Sequence, residues 1–79
     1  MLEEQKIHKQ IFLKELGKRI KKLREDSGLS QFELANEAGI VKNQIGRIER
    51  GEINTSIYTL KKISSVLKVH ISELLSFEH

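Results

Sequence analysis

The chain has no cysteine and no proline. Without cysteine, neither a disulfide framework nor a thiolate zinc site is available, and the usage fits a reducing compartment. The three histidines, His8, His70 and His79, are scattered, and none has a carboxylate or second histidine at a metal-ligand spacing. No apolar run approaches the roughly 20 residues a membrane span needs. The first residues, Met1-Leu2-Glu3-Glu4, are acidic and lack a signal-peptide pattern. No nucleophile–base pair, carboxylate dyad or phosphate loop occurs, and 79 residues are too few to enclose a ligand pocket of ordinary size. The expectation is a soluble, cytoplasmic protein that is not an enzyme, carries no cofactor or metal, and binds neither membrane nor small molecule.

What is present is short, punctuated and helical. The length makes one domain at most, of a size whose core supplies only about 3–5 kcal/mol, so reinforcement by a second subunit would be ordinary. Apolar residues recur at spacings of three and four, and β-branched residues do not alternate as in strands. A first helix closes at Gly28, with Leu29 just beyond. Ser30-Gln31-Phe32-Glu33 is a capping box, so a second helix starts near Gln31 and carries Leu34, Ala35 and Ala38 inward. It stops at Gly39. A third runs from about Lys42 to Arg50, ahead of Gly51. Ser56 can cap a fourth, with Ile57, Leu60, Ile63 and Leu67 inward, and His70 or Ser72 opens a last turn carrying Leu74 and Leu75.

Two short helices joined by a glycine turn have the form of a helix-turn-helix. At about 100° per residue, Val41, Ile45 and Ile48 fall on one side of the third helix. Asn43, Gly46, Arg47 and Arg50 fall on the other, flanked by Lys42, and the only carboxylate, Glu49, lies off that face. Arginine or lysine can donate to guanine O6 and N7, and asparagine can pair with adenine. Gly46 costs the helix about 1 kcal/mol relative to alanine. Either that cost is tolerated or another surface must come close to the backbone there. Net charge is +3, and six of the basic residues lie between Lys14 and Arg24 against one acid, Glu15. Such a segment reads as the footprint of a polyanion partner or as a solvated helix face.

From Leu16 to Leu75 the chain resembles the Cro/Xre helix-turn-helix family. The resemblance is carried by Leu29-Ser30-Gln31 with Leu34-Ala35, Ala38-Gly39-Ile40, Ile45 through Ile48-Glu49-Arg50-Gly51, and Leu74-Leu75. It implies an all-α, five-helix, lambda-repressor-like domain over residues 13–79, with the helix-turn-helix at about 31–50. Residues 1–12 form an N-terminal extension. It also implies sequence-specific binding of double-stranded DNA, as a repressor or regulator acting as a homodimer on a palindromic operator. Base edges would be met by Lys42, Asn43 and Arg47. Phosphates would be met by Ser30, Gln31, Gln44, Arg50, Asn54, Thr55 and Ser56. Arg24 and Glu49 match a buried structural pair, and the last helices supply dimer candidates in Leu74, Leu75 and Phe77.

Departures from the family are visible. Thr55 stands where a proline is usual, Val41 replaces a polar cap, and Lys68 takes a common glycine position. Phe32 replaces a charged residue, which suggests a contact. In the extension, a helix unbroken from residue 6 would put Ile7 and Ile11 opposite the core stripe of Phe12, Leu13, Leu16, Ile20 and Leu23. Either the helix begins near Phe12, or the two isoleucines seek a second subunit or Phe32. A frayed tail is the alternative. The competing function is a protein-interaction module that keeps the fold and works through Phe32, Ile7 and Ile11.

Overall fold

The capping box forms as the residue types require. The Glu33 amide donates to Ser30 Oγ at 3.0 Å, and the Ser30 amide donates to Glu33 Oε1 at 2.8 Å. The computed structural model describes residues 2–77, so His79 lies outside the described residues. In chain order the elements are α1 (Leu2–Asp26), α2 (Gln31–Ala38), α3 (Lys42–Glu49), α4 (Ile57–Leu67) and α5 (Ile71–Leu74), and the described residues include no strand. No helix among them is long and apolar enough to cross a membrane.

The joints follow from local chemistry. Gly39 closes α2 at φ 68°, which lets the Ile40 amide reach Ala35 O at 2.8 Å. Lys68 adopts the same left-handed geometry at φ 60° to end α4. A side chain there costs roughly 1–2 kcal/mol. That cost is the physical content of the missing glycine. Ser56 caps α4, its Oγ accepting from the Thr59 amide at 3.1 Å. Val41 precedes α3 in extended geometry and offers no side-chain cap.

One core joins all five helices. Leu16 and Ile20 meet Leu34 and Ala35, Ile45 and Ile48, then Leu60, Ile63 and Leu67, with Leu74 at the base. Each fully buried Leu or Ile is worth about 1.5–3 kcal/mol against exposure. Two expectations need correcting. Ile57 is 68% exposed, because it opens α4 a full turn before Leu60, beyond the stretch that other elements cover. Leu74 is fully buried, so its side chain belongs to the core and is unavailable to a second subunit. Leu75 and Phe77 are partly buried against the same core, and the Phe77 ring meets Phe12 edge-on at 5.4 Å.

Helix α1 continues without a break into the extension, so it starts at Leu2 and not near Phe12. At about 1.5 Å per residue its 25 residues set the longest dimension, 40 Å. Ile7 and Ile11 stay about half exposed and Phe32 is 63% exposed, so the extension does not cover Phe32. At Gly17 this helix meets the C-terminal carbonyls of α3. A Cβ there would collide with Ile48 O and Glu49 O, which are backbone atoms and cannot swing away.

Gly17→Ala should therefore force α1 off α3 and cost about 1–3 kcal/mol, read by urea denaturation. An unchanged midpoint would show that the contact is slack. The capping box supplies a pH prediction. Bonds from the Ser30 backbone and hydroxyl hold the Glu33 carboxyl below the ordinary glutamate value. A folded value below the unfolded one means its stabilisation is complete above about pH 4.3 and is lost as pH falls through the folded value. The protection of amides at the start of α2, measured against their intrinsic exchange rate at each pH, should fall over that acid range in the native chain, and the step should vanish in Glu33→Gln.

Candidate nucleic-acid interface

Burial of Ile45 and Ile48 fixes the rotation of α3 and turns its opposite side to solvent. Lys42, Asn43 and Arg47 are exposed on that side. Together with Gln31, Gly46 and Arg50 they line a concave cleft of about 320 Å³. The residues expected to read base edges are thus side by side on one surface.

Behind the cleft lies a buried ion pair. Arg24 Nε donates to Glu49 Oε2 at 2.6 Å and Nη2 donates to Oε1 at 3.0 Å, while Nη1 donates to Leu29 O at 2.8 Å. Both residues are almost fully enclosed. The hydrogen bond to Glu49 raises the Arg24 pKa, and burial opposes it. The same carboxylate accepts from Gln31 Nε2 at 3.0 Å. One acid at the end of α3 therefore ties α1 through Arg24 and the first turn of α2 through Gln31. With its amide nitrogen engaged, Gln31 presents its oxygen toward Gly46, where a Cβ would lie 3.6 Å away.

Gly46 is buried although it is on the outward face. Arg50 Nη1 lies 3.0 Å from where its Cβ would be, so the close surface is this chain's own arginine. Arg50 in turn is held by Glu52, with Nε to Oε2 at 2.6 Å and Nη2 to Oε1 at 3.3 Å. Arg47 Nε is 3.8 Å from Glu52 Oε1. The hydrogen bond from Arg50 is the main cause holding the Glu52 carboxyl below its usual range, and the same bond raises Arg50. Helical periodicity puts no acid on this face, because Glu52 lies beyond the end of α3. Gly51, at φ 72°, turns the chain and returns Glu52 to the arginines.

The remaining candidates are placed unevenly. Ser30 and Ser56 spend their hydroxyls on caps at the starts of α2 and α4. Asn54 is exposed and Gln44 is half-buried. Thr55 Oγ1 is buried and finds no hydrogen-bond partner among the described residues, so it cannot present its hydroxyl to a phosphate. The basic run in α1 is partly engaged within the chain. Lys18 pairs with Glu15, Lys22 with Asp26, Arg24 with Glu49, and Arg19 donates to Glu73 O at 2.9 Å. Among the described residues, no group of three or more potential metal ligands comes together.

A glycine-hinged helix pair with its second helix turned outward defines a helix-turn-helix domain. The chain belongs to the Cro/Xre-type helix-turn-helix family, whose profile matches residues 20–74. It is 43% identical over 65 residues to the transcriptional regulator SinR of Bacillus subtilis, covering 81% of this chain and 59% of that protein. The chain thus spans little more than half of that relative. Among solved structures, the restriction-modification controller C.AhdI of Aeromonas hydrophila superposes with a TM-score of 0.78 at 35% identity, over 78% of this chain and 94% of that one. SinR in complex with DNA superposes with a TM-score of 0.73 at 44% identity, over 76% of this chain and 97% of that one.

Removing one partner of the buried pair leaves an uncompensated charge. Glu49→Ala should cost about 3–5 kcal/mol in denaturant unfolding. Replacing Arg24 and Glu49 together by methionine should recover most of that loss. A single substitution costing under about 1 kcal/mol would contradict the burial of the pair.

Proposed function

We propose that the chain binds double-stranded DNA in a sequence-specific manner, as a transcriptional repressor or regulator. The observation that carries this reading is the grouping of Lys42, Asn43 and Arg47 on the solvent side of a short helix whose other side is anchored by isoleucines. The SinR–DNA complex is the support from related structures. In this reading α3 enters the major groove and α2 crosses the backbone. Arg47 and Lys42 donate to guanine, and Asn43 pairs with adenine. The starts of α2 and α4, with Gln31, Asn54, Ser30 and Ser56 around them, face the phosphates, as does Gln44 in the first turn of α3. Arg50 stands at the edge of that face.

A single eight-residue helix reads few base pairs. A homodimer would place two such helices about 34 Å apart on a palindromic site. Of the dimer candidates, Ile7 and Ile11 are exposed and Leu75 and Phe77 are half-buried, so these four remain accessible for pairing. The role is one of binding rather than catalysis, exercised in a bacterial or phage-infected cytoplasm. A second reading, as a protein-interaction module, draws on the exposed Phe32, Ile7 and Ile11. Replacing Lys42, Asn43 and Arg47 together separates the two, since regulation survives only in the second.

The test is selection of bound duplexes from a random pool, followed by titration of Arg47→Ala. Loss of a bidentate base contact should cost about 1–3 kcal/mol and relax preference at one base pair, leaving random-duplex affinity much less affected. Equal losses on selected and random DNA would refute a base-reading role for Arg47.

A further inference from the structure

Three side chains at the C-terminal end of α3 form an exposed charge cluster. The carboxylate of Glu52 faces both Arg50, at 2.6 and 3.3 Å, and Arg47, at 3.8 Å. All three side chains are about half exposed. As a stabiliser of the fold such a cluster counts for little. Its placement on a surface meant for a polyanion is another matter. A carboxylate there repels phosphate, and it neutralises two cations that phosphate would otherwise attract.

The geometry separates the two arginines. Glu52 takes Arg50 side-on through Nε and Nη2, and the remaining Nη1 lies over Gly46 in space that any larger residue would occupy. Arg50 is thereby folded back along the helix with its guanidinium engaged. Arg47 is met only loosely, its nearest nitrogen, Nε, standing 3.8 Å from Glu52 Oε1 on a half-exposed side chain, so its terminal nitrogens can swing out as a fork. That fork is the part that matches guanine O6 and N7.

Building on the DNA-reading role proposed above, we propose that Glu52 is a specificity-determining positioning residue. It restrains Arg50 from indiscriminate phosphate contact while aiming the terminal nitrogens of Arg47 at a base edge. A cognate site is read with the cluster intact. A random duplex offers chiefly phosphates, and an arginine must leave Glu52 to reach them.

The experiment measures affinity against salt for wild type, Glu52→Gln and Glu4→Gln, on a duplex selected by the wild type and on random duplex. Glu4, at the exposed start of α1, carries the same change of net charge away from α3. Glu52→Gln should tighten random binding and steepen its salt slope by about 0.9, the signature of one added phosphate contact. The ratio of selected to random affinity should shrink by about fivefold or more, the low end for one bidentate base contact. Glu4→Gln should leave slope and ratio at wild-type values. If Glu52→Gln matches Glu4→Gln in both quantities, the role assigned to Glu52 falls while DNA reading stands. A wild type that shows no preference for any duplex would overturn both.

Discussion

The geometry of the outward face depends on a single carboxylate that is out of contact with solvent. Glu49 receives Arg24 from α1 and Gln31 from α2, so the two helices of the motif and the long first helix share one electrostatic node. Taking two charges out of water is expensive, and the expense is offset only when the geometry is good and the leftover hydrogen-bonding groups are satisfied. Here the third nitrogen of Arg24 is satisfied by Leu29 O. The apolar core could be assembled at slightly different rotations of α3. The node admits far fewer, and Gly17 permits the close approach on which it depends.

From that node the surface chemistry follows. Once Ile45 and Ile48 are buried and Glu49 is turned inward, the side of α3 left to solvent carries Lys42, Asn43 and Arg47. The working charge of the molecule is thus more local than its net +3 implies. Within the basic run of α1, only Arg24 is buried and fully paired, while Arg19 is tied to a carbonyl and Lys18 and Lys22 form exposed helix pairs that leave their charge near solvent. Glu52 tempers the two arginines of α3. A protein that must discriminate among duplexes gains from having few free cations in defined places, because each unrestrained one adds affinity for every sequence alike.

Much of the fold was legible because its signals are local. The capping box at Ser30, the left-handed Gly39 and the cap at Ser56 each involve residues within a few positions, and the helices begin and end at them. What was illegible depends on contacts far apart in the chain. Nothing within α1 announces that Gly17 must admit the carbonyls of Ile48 and Glu49. Periodicity alone puts Ile57 inward, and only the packed structure shows that the neighbouring elements do not reach it. Thr55 has a side chain suited to phosphate, yet its hydroxyl is turned inside. Glu52 is illegible for a geometric reason. It lies outside the helix whose face was read, and only the reversal at Gly51 brings it alongside.

The most direct measurement is a crystal structure of the chain with a duplex recovered from a random pool. The account requires α3 in the major groove, with Lys42, Asn43 and Arg47 within hydrogen-bonding distance of base edges and the Arg24–Glu49–Gln31 node unchanged behind them. A complex in which α3 stands clear of the duplex, with contacts made instead by the lysines of α1, would contradict it.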